Sequence, residues 1–133
     1  DPLWSRGLGD VYKRQLLVAA QLPDSNPVKK SALAYVETYE KANGAGSTNT
    51  FGGHMWDAGQ LVVAALPVAL KSGAKPGTPE FRVAMRDALE GVKDLAASQG
   101  VFNMSPTDHA GFDERSRVIV KVEGGKWVYQ PGL

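Results

Sequence analysis

In the stretch TNTFGGHMWDAGQ, residues 48–60, His54 and Asp57 stand three apart, and His109 follows Asp108 much later in the chain. On a helix the first pair would share one face. With His109 brought alongside, two histidines and a carboxylate have the donor types of a zinc or non-haem metal centre. The chemistry needs all three groups around one ion, and no His-x-x-x-His pair fixes two of them in advance. Nucleophilic catalysis has less support. Ser47, Ser72, Ser98 and Ser105 lie in no Gly-x-Ser-x-Gly elbow, and the Gly-x-Gly triplets lack the strand-turn-helix setting of a phosphate loop.

Phe51 precedes Gly52-Gly53, and glycine lets another chain or a ligand approach the backbone closely. An aromatic at such a point fits the wall of a pocket as well as it fits a core. Phe51, Gly52, Gly53 and His54 are therefore the candidate ligand-binding residues. Met55 and Trp56 read as packing at a helix entrance, with Thr48 or Asn49 as its cap.

The elements that must position these residues belong to a chain of 133 residues, 43% hydrophobic and 22% charged, which suits one ordinary domain. A net charge of +1 without a basic block gives nucleic acid no electrostatic hold. No cysteine is present, so disulfides and thiolate metal sites are excluded. The longest mostly apolar run, Leu61 to Leu70, falls well short of the roughly 20 residues a membrane-spanning helix needs, so no membrane insertion is expected.

Residues 1–15, DPLWSRGLGDVYKRQ, carry neither strand alternation nor a helical stripe, and GDVYKRQ looks like the translation of a sequencing adapter. Asp1 to Gln15 are expected to be foreign to the fold and to make no packing contacts. The remainder, 16–133, is charge-balanced.

From Leu16 to Leu22 a continuous apolar run reads as a strand covered on both faces. Asn26 caps, and Pro27 opens, a helix whose apolar face is Val28, Ala32, Tyr35, Val36 and Tyr39, stopped by Gly44. A second helix, about Met55 to Lys71, is so uniformly apolar that it is expected to be buried nearly all round. The third starts at Thr78-Pro79 with a stripe of Phe81, Met85, Ala88, Leu89, Val92 and Leu95, and its segment ends at Gly100. Val101 to Ser105 reads as a short strand, and RVIVKVE and KWVYQ as a hairpin turned by Gly124-Gly125. Three helices, one buried strand and a hairpin leave the strand without parallel neighbours and the second helix without cover, which is the pattern of an α/β fragment.

QLPDSNPVKKSALAYVETYEKANG, FGGHMWDAGQLVVAALPVALKSGAKPGTPEFRVAMRDALEG and GVFNMSPTDHAGFDERSRVIVKVEGGKW together resemble the C-terminal third of the substrate-binding proteins of branched-chain amino-acid-type ABC transporters, the leucine/isoleucine/valine-binding family. The resemblance covers Leu16 to Pro131. It rests on the proline-flanked LPDSNP, Trp56-Asp57-Ala58, the Asp108-His109 loop ending at Gly111, and the Gly-Lys-Trp hairpin. It implies a type I periplasmic-binding-protein fold with doubly wound lobes and a ligand in the cleft between them. A small-molecule ligand such as an amino acid, a membrane permease as partner, a periplasmic or extracytoplasmic location and no cofactor are also implied, with the signal sequence and first two thirds outside this chain. No residue would be catalytic. Phe51 would face the cleft, and Trp56 stands where tyrosine is more usual. Asp108 and His109 would make hinge or surface hydrogen bonds. The metal-dependent enzyme using His54, Asp57 and His109, and a sensory receptor of the same fold, are the alternatives.

Overall fold

The computed structural model describes Val11, Tyr12 and residues 15–131. In chain order these form β1 (Val11–Tyr12), a 3-10 helical segment (Gln15–Gln21), α1 (Lys29–Asn43), α2 (Thr50–Leu70), α3 (Pro79–Glu90), β2 (Leu95–Ala96), β3 (Val101–Phe102), a short 3-10 turn (Glu114–Ser116), β4 (Val118–Glu123) and β5 (Lys126–Gln130). One antiparallel sheet has the order β1-β4-β5, and β2 pairs with β3 in another. The mixed helix-and-sheet fragment read from the sequence is observed.

The apolar run after Gln15 is buried on two sides, as its composition demands, but it is not a strand. Leu16 and Ala19 face Val28 and the α1 residues Ala32 and Tyr35, while Val18 and Leu22 pack with Val118 and Val120 of the hairpin. A coil of three residues per turn aligns Leu16 with Ala19. Val18, at φ −120° and ψ 18°, interrupts it. A continuous apolar run specifies cover on both sides without specifying the backbone. Gln21 supplies some of the pairing a strand would have made: its Nε2 donates to Trp127 O at 3.0 Å, and its Oε1 accepts from Tyr129 N at 2.9 Å.

Three residues of the segment expected to be foreign take part in the fold. Val11 and Tyr12 pair with Ile119 and Val118. Gln15 is buried and donates to Arg115 O at 2.7 Å. The expectation of no packing contacts fails at these positions; residues 1–10 and 13–14, on which the rest of it falls, lie outside the described residues.

Helix α1 starts two residues after Pro27, because Asn26 Oδ1 accepts from Val28 N at 2.9 Å and so caps the preceding turn. Its apolar face packs as expected, and Gly44 at φ 95° ends it. Thr78 Oγ1 caps α3 by accepting from Phe81 N, and α3 stops at Gly91, short of the Gly100 boundary read from the sequence. In the hairpin, Glu123 faces Lys126 across Gly124-Gly125, both at positive φ as a primed two-residue turn requires.

Helix α2 departs most from expectation. It begins at Thr50, five residues before Met55, and is not buried all round. Ala65 and Ala69 press on Ala88 of α3, a contact of small side chains that lets the helices approach. On the adjoining flank Phe51, Met55, Val62, Val63, Leu66 and Leu70 are exposed, with Val63 at 66%, and Val68 is exposed outside that flank. At 100° per residue the flank residues fall within about one third of the helix circumference, a continuous apolar stripe. The sequence reading that this helix lacks cover holds; the parallel expectation for residues 16–22 does not, since Leu16, Val18, Ala19 and Leu22 are buried.

Apolar surface of this extent promotes association. The 133-residue chain is expected to self-associate in light scattering, and a Val63→Glu, Leu66→Lys double variant to shift toward monomer. A monodisperse unsubstituted monomer would contradict this.

Candidate ligand-binding rim at the start of α2

Asn49 holds the first turn of α2. Its extended backbone and side-chain oxygen, which accepts from Gly52 N at 2.8 Å, make it the cap. Behind it Tyr35 Oη donates to Asn49 O at 3.2 Å, tying the cap to α1. The Tyr35 ring lies 5.4 Å from that of Tyr39 and 5.7 Å from that of Trp56, both tilted, so an aromatic cluster backs this turn. Burial pushes the Tyr35 phenol pKa up.

The glycines are needed for this packing. A Cβ on Gly52 would collide with Tyr35 Oη, and one on Gly53 would come within 2.7 Å of Leu16 Cδ2 and 3.0 Å of Gln99 Nε2. Each glycine in a helix costs about 1 kcal/mol relative to alanine. Here the approach they permit is made by the protein's own chain, not by space left for a ligand.

One turn further on, Asp57 is 2% exposed. Its Oδ1 accepts from Ser98 N at 2.7 Å and its Oδ2 from Gln99 N at 2.9 Å. The same turn returns two bonds to α2: Ser98 Oγ donates to Gly53 O at 3.3 Å and Gln99 Nε2 to Thr50 O at 2.8 Å. Burial raises the Asp57 pKa; hydrogen bonds from Ser98 and Gln99 and the nearby His54 oppose the rise.

Phe51 stands on this anchored turn 81% exposed, with Met55 one turn later at 74% and His54 also exposed. A helix start at Met55 leaves Phe51 ahead of the helix; Phe51 lies within it, and Asn49 is the reason. Trp56 packs on Tyr35 as expected. Met55 does not: it shares the exposed face with Phe51, which their four-residue spacing would have shown had the helix been started at Thr50.

The metal-centre reading is corrected by the same geometry. Both Asp57 oxygens serve the Ser98–Gln99 backbone, and His109 Nε2 lies 3.1 Å from Glu90 Oε1. Among the described residues no group of three His, Cys, Asp or Glu is placed to hold a metal ion. Asp108 Oδ1 accepts from Ala110 N and Gly111 N, which shapes its own loop. No helix among the described residues is long and apolar enough to cross a membrane.

The start of α2 thus presents an exposed aromatic backed from behind by Asn49, Tyr35 and Asp57. Comparisons with known proteins supply the class. An extracellular ligand-binding receptor from Rhodopseudomonas palustris is 43% identical with a TM-score of 0.78, over 86% of this chain and 32% of its own. One from strain HaA2 gives the same values, and another structure from that strain is 41% identical with a TM-score of 0.77, over 92% of this chain and 33% of its own. No protein-family model and no curated protein matches the chain. The sequence resemblance therefore holds at this level: the chain is similar to part of the extracellular ligand-binding receptors of the type I periplasmic-binding-protein kind, and spans about a third of their length.

Asp57→Ala would leave two buried N–H groups without acceptors, at roughly 1–3 kcal/mol each, so chemical denaturation should show a loss of about 2–6 kcal/mol. Asp57→Asn keeps one acceptor oxygen and should cost less. Because the folded-state pKa is raised, the folded chain holds this proton more tightly than the unfolded one. The stability so gained is full below the unfolded value and lost as pH rises through the folded value. The wild-type advantage over Asp57→Asn should therefore shrink as pH rises across that interval; an advantage that grows would show that the hydrogen bonds outweigh burial.

Proposed function

We propose that the chain is the C-terminal part of an extracytoplasmic solute-binding protein serving an ABC importer, with an amino acid or similar small carboxylate as ligand. On this reading residues 16–133 are the receptor portion and residues 1–15 an appended segment, with the hairpin offering an edge onto which Val11 and Tyr12 fall. The protein binds and releases an unchanged ligand by closing its lobes, and its closed form engages the membrane permease.

The observation that carries the reading is Phe51, held 81% exposed on a turn fixed from behind by Asn49, Tyr35 and Asp57. A soluble protein that spends two helical glycines and a buried carboxylate on fixing a turn, yet leaves its phenylalanine outside, has a surface for the ring to meet. Phe51 contributes apolar contact at the cleft edge, with His54 beside it. Gly52 continues the rim through its backbone, and the buried Gly53 admits the support behind through its missing side chain.

Calorimetric titration of the intact receptor against amino acids and small carboxylates tests this. Burying an aromatic ring against a ligand contributes roughly 1.5–3 kcal/mol, so Phe51→Ala should weaken binding about ten- to hundredfold without unfolding the protein. Trp56→Ala should lower thermal stability instead. Unchanged affinity in Phe51→Ala would remove Phe51 from the ligand site.

A further inference from the structure

Away from the α2 rim, an open groove of about 650 Å³ runs along α3. Phe81, Met85 and Leu89, one turn apart, form its floor with Met104, and Arg82, Arg86, Glu90 and His109 stand on its edges. The floor is apolar and two of its residues are methionines, whose unbranched chains adapt to varied shapes. The volume is in the range of small-molecule sites.

The edge charges are not equivalent. Glu90 Oε1 lies 3.1 Å from His109 Nε2 and 3.9 Å from Arg86 Nε, and Arg86 also pairs with Asp87 at 2.6 Å. That end of the groove is internally compensated. Arg82, at the other end, is exposed and makes no ion pair among the described residues. An apolar floor with one uncommitted guanidinium at its end complements a molecule of matching layout.

We infer that this groove binds a small amphiphilic monoanion, its carboxylate on Arg82 and its apolar tail along Met85, Leu89 and Met104. From Arg82 to Leu89 the helix rises roughly 10 Å, which suits an unbranched tail of medium length. Arg82 is suited to the head because a guanidinium presents a planar pair of donors to a carboxylate. The site is separate from the α2 rim and does not depend on the ligand proposed there.

Octanoate below its micelle concentration is the probe, with octanamide as its neutral counterpart, titrated into the 133-residue chain and followed by methyl and arginine side-chain NMR. Octanoate should shift the signals of Met85, Leu89, Met104 and Arg82, and octanamide should bind about tenfold more weakly, as loss of one charge-assisted hydrogen bond implies. Arg82→Gln, an exposed substitution that leaves the core untouched, should bring octanoate down to the octanamide level. Leu89→Ala should weaken both ligands alike. Equal binding of the two probes, an Arg82→Gln variant that binds octanoate as before, or shifts confined to Val62, Val63 and Leu66 of α2 would each overturn the assignment; the last would mark adsorption to the exposed stripe. Loss of amino-acid binding in Phe51→Ala leaves these outcomes unmoved, so the two sites fail or stand separately.

Discussion

The start of α2 depends on one buried carboxylate. Asp57 holds the backbone of Ser98 and Gln99, and those two residues bond back to Gly53 and Thr50, closing a ring of four hydrogen bonds between a helix and the turn joining β2 to β3. These segments lie some forty residues apart in sequence, so no local preference would bring them together. A carboxylate out of water is expensive unless its oxygens are met by donors. Here both are, and the cost of misplacing the turn is correspondingly high. Asn49 and Tyr35 then need only fix the first turn against α1 for Phe51 to be presented in one orientation.

The core around this ring is divided. Leu16 and Ala19 belong with α1, Val18 and Leu22 with the hairpin, Ala65 and Ala69 with α3, and Phe102 and Met104 with Leu61 and Phe112. Among the described residues these four small clusters have less to hold them together than one continuous core. The uncovered stripe on α2 belongs to the same picture, because a helix so apolar is made to be packed on more than the side α3 occupies.

What could be read from the sequence was what local chemistry decides. Thr78-Pro79 announces α3, Gly44 ends α1, and Gly124-Gly125 turns the hairpin, each for reasons contained within a few residues. The stretch from Leu16 to Leu22 announces burial but not backbone, since Leu16 and Val18 satisfy different neighbours that lie far along the chain. Gly52-Gly53 misled in the other direction. Two poor helix formers set the expected start at Met55, whereas the need to fit Tyr35 and Leu16 behind the helix is what selects glycine there. At the site, the sequence left Phe51 open between a pocket wall and a core, and the role of Asp57 was not legible, because its partners are backbone N–H groups that no residue pattern reports.

Side chains also finish the sheets. Gln21 pairs through its amide with Trp127 and Tyr129 on the free side of β5, and Ser116 Oγ accepts from Val101 N at 2.9 Å while lying 3.3 Å from Val101 O on β3. An amide or hydroxyl occupying an edge position satisfies the strand and yet offers no further ladder for a newcomer to extend. These two edges are therefore poor templates for stacking one chain on the next in fibrillar order. The surface left for contact is the apolar flank of α2, and contact through such a flank is shape-tolerant and needs no backbone register.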